Sequence, residues 1–585
     1  MYRVIKIFII ACTFTVLFAE EIELPTHEIY FTGQQHFDEE SLQDALGVDT
    51  PGFFQFWKED IPRIKDKLIP TLALSLKSFY ESEGFYDANF TIRETNTTLF
   101  VTVNENKPVK VRDINISSDY DIASLVTMKK GEIFRAETFT VIKSEITKQL
   151  LNDGYCSYDL DTKAYVDLEQ HTVDLRYKLQ KGGVCTFGKL TTSGLETIDE
   201  EVILSRVKAK EGERFSTKRI QDTSNNLYRL NAFDSVVINA DRKFYNVVPV
   251  DITFSEMEKP YHLEAGVGYD TFVGMRVHGE ITKNNFLGNA QQLKLNAAWS
   301  EREQLIRLAY FKPALFDIWG YYIDTGGNLG YSNFEFEGFR EEKTFIRGYL
   351  EHEAERLKLR AGIALENIII EALDLAAGQT LSQAVNEGTF NLFYPYVDLV
   401  YDARDDKLNP KYGYYLAAYS EFGLSRGDDP SVYMKTQLEG RIIHTFDKLT
   451  LAAVGKVGVL DDESDKGLPE SKYFFGGGVY SNRAYGFREI GVIVSPTEDT
   501  IKGASTMANL SLEANYPVWG DIYGAVFTDN TMLTEESYDF AGEVITSAGV
   551  GVRYMTPIGP FKLDIGFNVE DHAQYGISFQ IGQSF

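Results

Sequence analysis

Residue combinations that support catalysis are sparse in this chain. The eight His residues include no HExxH spacing, and there is no GxSxG segment of the kind that presents a nucleophilic serine. The acidic run at 461–467 has Lys466 where a calcium loop requires glycine. Gly476, Gly477 and Gly478 are not followed by the Lys and Ser or Thr of a phosphate-binding loop. We therefore predict that the protein is not an enzyme and holds neither a cofactor nor a metal ion.

The N-terminal residues are typical of an export signal. Arg3 and Lys6 precede a short apolar run, and Ala19 supplies a small residue for cleavage. The apolar run is shorter than the roughly 20 residues that a membrane-spanning helix needs, which disfavours an anchor. A lipoprotein cleavage box before Cys12 is a second alternative, although little hydrophobic sequence precedes it. Residues 1–19 are therefore predicted to be a signal peptide.

Two cysteines remain after removal of that signal. Cys156 and Cys185 form an even pair in an exported chain, which favours a disulfide over two buried free thiols. The two cysteines are 29 positions apart (185 − 156). In the chain-entropy description, closing a loop of that length stabilises the fold by about 3 to 4 kcal/mol.

The net charge excludes one class of partner. The formal charge is −28 at pH 7, and the pI is about 4.8. Binding to nucleic acid needs clustered Lys and Arg that displace counterions. We therefore expect no nucleic-acid partner.

A pattern of roughly 70 to 80 residues recurs between residues 22 and 258, in three units. Each unit runs from an extended segment through a helical one to two strand-like segments. Gly131 and Phe134 of the second unit correspond to Gly212 and Phe215 of the third. One helical face of the second unit would pack on a sheet and consists of Ile142, Ile146 and Leu150. The repeat predicts three small α/β modules in series.

After Pro260 the side-chain period changes to two, as in FKLDIGFNVE (561–570), where apolar and polar residues alternate. Many runs sustain about ten residues, the length that a tilted strand needs to cross a bilayer, whereas soluble strands average about five or six. We therefore predict a transmembrane antiparallel β-barrel rather than a soluble β-sandwich or propeller. About sixteen strands are expected, an even number as in bacterial barrels. They begin near residues 260, 273, 290, 303, 319, 342, 356, 390, 412, 431, 448, 505, 521, 546, 560 and 573.

The closing segment YGISFQIGQSF resembles an outer-membrane insertion signal. Its matching positions are a polar residue, a glycine, two alternating apolar residues and a terminal aromatic, namely Gln574, Gly576, Phe579, Ile581 and Phe585. The last strand of such a barrel must pair with the insertion machinery and then with the first strand. A polar tail would serve no purpose in that pairing.

A further segment resembles the superfamily of BamA, TamA, Sam50 and two-partner-secretion transporters. Arg483, Ala484, Tyr485 and Gly486 are similar to the Arg-Gly-Phe/Tyr tip of the sixth extracellular loop, with Ala in place of the first Gly. Asp529, in VFTDNT, matches an Asp on an inward-facing strand of the family. The resemblance implies that Arg483 folds into the barrel and pairs with Asp529. In a wet lumen we expect this pair to order the loop more than it stabilises the fold, because exposed ion pairs contribute about 0 to 1 kcal/mol.

The three N-terminal units then resemble POTRA domains, and their number is most similar to the TamA-like branch. The implied domains are a signal peptide (1–19), POTRA domains at 20–106, 107–181 and 182–258, and a barrel at 259–585. The resemblance places the barrel in the outer membrane of a Gram-negative bacterium, surrounded by lipid and lipopolysaccharide, with the POTRA domains in the periplasm. It implies client outer-membrane proteins and a TamB-like periplasmic partner at the first POTRA domain.

The expected function is to help β-barrel or autotransporter proteins to fold and insert, without ATP. The first strand, with Gly266 and Gly268, would meet the last strand, with Gly576, at a seam. Glycine weakens strand packing, so a client hairpin would add to this edge by backbone hydrogen bonding. The alternatives are a BamA-like general insertase, a two-partner-secretion transporter that exports a soluble substrate, and a passive porin.

Overall fold

The computed structural model describes residues 25–48, 62–242, 246–270, 274–336, 339–373, 382–383, 385–426, 429–464, 467–495, 500–556 and 559–581. The predicted signal peptide and Phe585 lie outside these ranges. Two compact units are described separately: the described parts of residues 25–191, 208–222 and 238–251 form one, and those of residues 192–207, 223–237 and 252–581 form the other. Among the described residues, no helix combines the length and the apolar character needed to cross a membrane.

The first module is a four-stranded sheet with two helices. Its elements are β1 (Thr26–Thr32), α1 (Glu39–Leu46), β2 (Arg63–Lys65), a 3-10 helix (Asp66–Thr71), α2 (Leu72–Ser82), β3 (Asn89–Glu94) and β4 (Thr98–Asn104). The strand order is β2-β1-β4-β3, with β1 parallel to β4. Helix α2 buries Leu72, Leu76 and Tyr80, which lie four residues apart and therefore on one face. These side chains pack on the alternating apolar residues of β4.

The second module has a three-stranded sheet and one long helix. Its elements are β5 (Lys110–Ser118), α3 (Ala136–Asn152), β6 (Asp159–Asp167) and β7 (Thr172–Gln180), in the sheet order β5-β7-β6. The predicted helical face Ile142, Ile146 and Leu150 is buried. It packs with the inward residues of β7 in one apolar core.

The third module has the same arrangement of strands. Its elements are β8 (Thr186–Ser193), α4 (Glu200–Leu204), α5 (Thr217–Tyr228), β9 (Phe233–Ala240) and β10 (Val247–Glu256), in the sheet order β8-β10-β9. The order places the last strand of the module in the middle of its sheet, as in the second module. The two modules therefore share one topology.

The C-terminal region is a sixteen-stranded antiparallel sheet, which confirms the predicted fold class. Its strands are β11 (Tyr261–Asp270), β12 (Gly274–Lys283), β13 (Gln292–Ser300), β14 (Glu303–Ile318), β15 (Tyr321–Glu335), β16 (Phe339–Ala354), β17 (Leu357–Ala372), β19 (Gly388–Asp402), β20 (Tyr412–Arg426), β21 (Ser431–Phe446), β22 (Leu449–Asp462), β25 (Thr506–Trp519), β26 (Ile522–Thr534), β27 (Val544–Tyr554), β28 (Phe561–Asn568) and β29 (Tyr575–Ile581). Each observed start lies within a few residues of the predicted one. A separate small sheet, which the sequence did not predict, consists of β18 (Ser382–Gln383), β23 (Val492–Ser495) and β24 (Thr500–Lys502).

The two faces of the large sheet differ in polarity. On β17, Leu359, Ile363 and Leu365 are exposed, whereas the neighbouring Glu366 is buried on the opposite face. An exposed apolar face beside a buried polar one is the pattern of a barrel whose outer surface meets lipid. The inward polar residues are therefore the candidates for function.

Candidate functional site

The loop between β22 and β25 is here called loop six (residues 463–505). It folds back on itself on the inward face of the sheet. Phe474 and Ala504 exchange two backbone hydrogen bonds, at 2.9 and 2.8 Å. Further along, the backbone N–H of Gly476 donates to the carbonyl oxygen of Ile490 at 2.8 Å. These bonds make the loop a hairpin, and the predicted motif Arg483–Gly486 forms its tip.

Arg483 is the central side chain of this tip. Its Nε and Nη2 donate to the two carboxylate oxygens of Asp529, each at 2.9 Å, and its backbone N–H donates to the same carboxylate at 3.0 Å. Its Nη1 donates to Glu513 at 2.7 Å. The guanidinium carbon lies 3.4 Å from the centre of the Phe527 ring. The structure thus places Arg483 on Asp529 in the bidentate geometry that suits Arg best.

The burial of this pair corrects one expectation from the sequence. We expected an exposed ion pair in a wet lumen, but the side chains of Arg483 and Asp529 are only 7% and 1% exposed. Removal of one partner from a buried pair leaves an uncompensated charge and costs about 3 to 5 kcal/mol. The pair therefore contributes more to the position of the loop than an exposed pair would.

A second guanidinium completes a charge cluster beneath the tip. Arg553 on β27 donates to Asp564 at 2.5 Å and to Glu513 at 3.1 Å, and it is almost completely buried. Arg483 also reaches Asp564, at 3.4 Å. Lys562 lies on β28 two positions before Asp564, on the same face. Three basic and three acidic side chains therefore share this part of the lumen and balance in charge.

Glu513, Arg553 and Asp564 belong to no motif that marks them as site residues in the sequence. A signal was present, since each is a charged residue at an inward position of a strand with period two. The sequence alone does not say which inward charges come together, because that depends on the register of four strands.

The other tip residues are held by hydrogen bonds within the loop and to the wall. Ala484 is completely buried, and its N–H donates to the side chain of Asn482 at 3.3 Å. The hydroxyl of Tyr485 accepts a hydrogen bond from Asn568 on β28. The N–H of Gly486 donates to Glu489 at 2.6 Å, which closes the turn. The tip is therefore fixed by contacts in addition to those of Arg483.

A row of glycines lets the tip approach the last strands closely. Gly549, Gly566 and Gly576 are register partners across β27, β28 and β29. A Cβ atom at Gly576 would lie 2.5 Å from the carbonyl oxygen of Arg483, and one at Gly566 would lie 3.0 Å from it. Only glycine leaves room for the loop backbone at these two positions. This close approach is a reason for Gly576 that differs from the strand weakening we expected.

Of the other residues of the predicted insertion signal, Gln574 precedes β29, whereas Phe579 and Ile581 lie on it. The side chain of Gln574 donates to the carbonyl oxygen of Ala484 at 3.0 Å, so it also contacts the tip. Phe579 is half exposed, on the apolar face. Ile581 ends β29, and Phe585 lies outside the described residues.

The predicted seam lies between the two ends of the sheet. Within the described residues, no ladder pairs β11 with β29. Gly266 and Gly268 are paired instead with His278 and Arg276 of β12. The structure thus brings the loop-tip motif to β28 and β29, and places Gly266 and Gly268 on the strand at the other end of the sheet order.

The strands near the seam are short. Within the described residues, β28 and β29 have 8 and 7 residues and β11 and β12 have 10 each, whereas β16 and β17 have 16 each. Fewer ladder hydrogen bonds hold the short strands to their neighbours. The wall is therefore weakest at its two ends.

Part of the third module forms hydrogen bonds with residues of the barrel. Arg206 donates to both carboxylate oxygens of Asp324 on β15, at 2.8 and 2.7 Å. Asp199 and Asn289 exchange two hydrogen bonds, at 2.7 and 2.8 Å. The sequence analysis did not identify these residues, because neither pair belongs to a recognisable motif.

The two cysteines within the described residues lie together. Cys156 and Cys185 form a disulfide with a Cα–Cα distance of 6.0 Å. Cys156 follows helix α3 of the second module, and Cys185 precedes β8 of the third. The bond therefore joins two modules rather than closing one.

A strand-lined barrel with inward charges, a plugging hairpin loop and small periplasmic-type modules defines a class of outer-membrane protein. Comparison with known families agrees with this class. The Omp85 superfamily domain matches residues 285–585, and the POTRA family, described as surface antigen variable number repeat, matches residues 107–182 and 185–257. The chain belongs to the Omp85 superfamily. It is an outer-membrane protein with its POTRA domains in the periplasm.

Individual relatives are distant. The outer membrane protein assembly factor BamA of Neisseria meningitidis serogroup B is 22% identical over an alignment of 631 positions. This alignment covers 95% of this chain and 78% of that protein. BamA of Buchnera aphidicola is 20% identical over 316 residues, and this chain covers 51% of its length. The crystal structure of Haemophilus ducreyi BamA lacking POTRA domains 1–3 matches with a TM-score of 0.54 at 18% identity, over 81% of this chain and 99% of that structure. At 18% identity, the match to the Haemophilus ducreyi structure concerns the fold alone.

Proposed function

We propose that this protein helps other β-barrel or autotransporter proteins to fold and insert into the outer membrane, through the seam between β11 and β29. The observation that carries the proposal is the edge of the sheet. Backbone N–H and C=O groups on the outer edges of β11 and β29 have no ladder partner among the described residues. Such an edge is a template for an incoming strand.

The contacts of loop six support the same proposal. The loop tip lies on the glycines of β28 and β29, so it can hold the inner side of the last strands in place while their outer edge changes partner. The short strands near the seam add to this, because fewer hydrogen bonds must be broken to open it. Two named relatives are outer membrane protein assembly factors, which favours the same activity.

Within this activity we propose a TamA-like role. Three repeated modules on a chain of this length favour it, with client outer-membrane proteins at the seam and a TamB-like partner at the first module. A BamA-like general insertase is the second candidate, because the named relatives are BamA proteins. Depletion of the protein separates the two: we expect a subset of barrel proteins to be lost, whereas a general insertase would affect nearly all of them.

A cross-link across the seam tests the proposed route. In a Gly268→Cys, Ile577→Cys variant, oxidation should block assembly of clients while the barrel remains inserted. The matched control is Gly440→Cys with Gly455→Cys, since these glycines are register partners on neighbouring strands far from the seam in the sheet order. Assembly should persist in the oxidised control. Normal client assembly in the fully cross-linked seam variant would contradict the proposal.

A further inference from the structure

Loop six carries a second buried cation, Lys472, which belongs to none of the motifs discussed above. It lies at the start of the loop, and its side chain is 10% exposed. Its Nζ donates to Glu421 at 2.8 Å and lies 3.6 Å from Glu366. The same ammonium group lies 4.1 Å from the centre of the Tyr394 ring. Two carboxylates and an aromatic face therefore surround one loop lysine.

The wall side of this contact is itself held in place. Glu366 accepts hydrogen bonds from Arg347 at 2.5 Å and from the hydroxyl of Tyr394 at 2.6 Å. Glu421 accepts one from the hydroxyl of Tyr419. The carboxylates of Glu366 and Glu421 are only 2% and 3% exposed. Buried carboxylates are costly unless a cation and hydrogen bonds compensate them. Arg347 already supplies a wall cation to Glu366, whereas the loop cation Lys472 pairs with Glu421.

The backbone of the loop is fixed at the same place. Lys435 on β21 donates from Nζ to the carbonyl oxygen of Lys472 at 2.5 Å. Nearby, the Arg488 guanidinium lies 3.8 Å from the ring centre of Phe475 and 4.7 Å from that of Phe336. The first arm of the loop is therefore held by its main chain as well as by its side chains.

The two buried loop cations, Lys472 and Arg483, contact different parts of the wall. Lys472 contacts β17, β19 and β20, whereas Arg483 contacts β25, β26 and β28. In sheet order these groups of strands lie on separate sections of the barrel. The loop between the two cations thus spans the lumen, beside a cavity of about 930 Å³ that both the loop and the wall line.

We propose that Lys472 is a positioning residue, a second anchor that holds the first arm of loop six across the lumen and keeps the lumen closed to ions and small solutes. Arg483 fixes only the tip, whereas the side chain of Lys472 adds the contacts that join the arm to β17, β19 and β20. The inference concerns closure of the lumen and does not depend on the proposed assembly activity.

Ion conductance of the purified full-length protein in planar lipid bilayers tests this anchor. Lys472→Met keeps most of the unbranched side chain but removes its charge, so we expect a rise in mean current and faster proteolysis of loop six. Lys472→Arg should restore both to near the wild-type level, because it returns a cation to the two carboxylates. The matched control is Lys502→Met on the same loop, since Lys502 pairs at 2.5 Å with the exposed Glu535. The control should keep the wild-type current.

Wild-type current and wild-type protease resistance in Lys472→Met would overturn the proposal. An equal rise in the Lys502→Met control would also overturn it, because the effect would then not be specific to the buried site. If Lys472→Met gives no heat-modifiable barrel, Glu421→Gln replaces it as the milder variant, because it removes the negative charge that faces Lys472 at 2.8 Å. A rise in current for Glu421→Gln supports the anchor, and an unchanged current rejects it.

Discussion

The joint between the first and second modules and the joint between the second and third are built on the same backbone scheme. In the first joint the N–H of Val109 donates to the carbonyl oxygen of Gly84 at 2.8 Å, and the N–H of Phe134 donates to that of Val109 at 2.9 Å. Gly84 has a φ of +93°, which ends helix α2 and turns the chain into the joint. An ion pair between Arg135 and Glu83, at 3.0 Å, adds a contact at the surface.

The second joint repeats these bonds at equivalent positions. The N–H of Cys185 donates to the carbonyl oxygen of Gly154 at 2.9 Å, and the N–H of Phe215 donates to that of Cys185 at 3.0 Å. Gly154 has a φ of +78°. Cys185 thus takes the place of Val109, and Cys156 takes the place of Tyr86, two positions after the glycine. The second joint differs from the first by a covalent bond.

Joints with the same hydrogen bonding can therefore differ in stiffness. Contacts at the first joint can break and re-form one at a time, whereas the disulfide at the second limits how far its two modules separate. We therefore expect the periplasmic arm to bend mainly at its first joint.

Loss of the disulfide should remove the difference in stiffness between the two joints. In a Cys156→Ser, Cys185→Ser variant we expect the free energy of opening at the second joint to fall by about 3 kcal/mol, because the chain-entropy constraint is lost. Native-state hydrogen exchange of the full chain in detergent, followed at residues 183–187, measures this change. The first joint should be unaffected, so residues 109–111 serve as the internal reference.

The reverse change is the matched control. Tyr86→Cys with Val109→Cys places a cysteine pair at the equivalent positions of the first joint, where Tyr86 and Val109 belong to one apolar core. Oxidation should slow exchange at the first joint only. If neither removal nor addition of a disulfide changes exchange at its own joint, the contrast between the joints is wrong.

Alanine at the two joint glycines should give unequal effects. A Cβ at Gly84 would collide with the backbone carbonyl oxygen of Phe134, whereas at Gly154 the nearest atom is Cγ of Arg214, at 2.7 Å, in a flexible side chain. Both residues have positive φ, so each substitution costs of order 1 to 3 kcal/mol from backbone strain. We expect Gly84→Ala to destabilise its joint more than Gly154→Ala, as measured by the same exchange experiment.

Acid should loosen the segment that leads into the first joint. Glu105 accepts hydrogen bonds from the backbone N–H of Gln35 at 2.9 Å, from His36 Nδ1 at 2.7 Å and from the hydroxyl of Tyr80 at 3.1 Å. Burial raises the pKa of Glu105, but these hydrogen bonds outweigh it and leave the pKa below its ordinary value. A depressed pKa means that the stabilisation is present above the ordinary carboxyl pKa and is lost as pH falls through the folded-state value.

The measurement is hydrogen exchange of residues 33–37 as a function of pH. We expect protection to fall on acidification in the wild type and to be low and less dependent on pH in Glu105→Gln. The corresponding place after β7 holds Gln180 and Lys181 rather than a carboxylate, so no such loss is expected at the second joint. Parallel pH profiles at both joints would contradict this prediction.

The smallest effect concerns the surface ion pair of the first joint. Arg135 is 56% exposed and Glu83 is 19% exposed, so solvent screens their attraction. Arg135→Ala should lower the opening free energy by less than about 1 kcal/mol, and high salt should reduce the difference further. A loss as large as that from removing the disulfide would mean that the first joint is held by charge rather than by its backbone.

Sequence periodicity predicted much of this fold because the alternation of a strand is a local property. The segment around Lys562 and Asp564 shows which side chains face inward, without knowledge of any other strand. The equivalent positions of Gly131 and Gly212 likewise indicated repeated modules. The candidate site was predicted in part, since the resemblance of the Arg483 segment pointed to Asp529.

The partners of these residues could not be predicted in the same way. Glu513, Asp529 and Asp564 come from three strands, and only their relative register brings them to one guanidinium. Lys472 looks like an ordinary polar loop residue until Glu366 and Glu421, from strands that precede the loop, meet it.

The repeated modules, the strand number, the inward face and the cysteine pair could be predicted from the sequence, because each follows from spacing along a short stretch of chain. Tertiary structure alone decided that the disulfide joins two modules, that the loop cations are buried, and that Gly566 and Gly576 lie beneath the loop tip. The physical reason is that burial and charge compensation depend on groups far apart in the chain, which meet only when the sheet curves around its lumen.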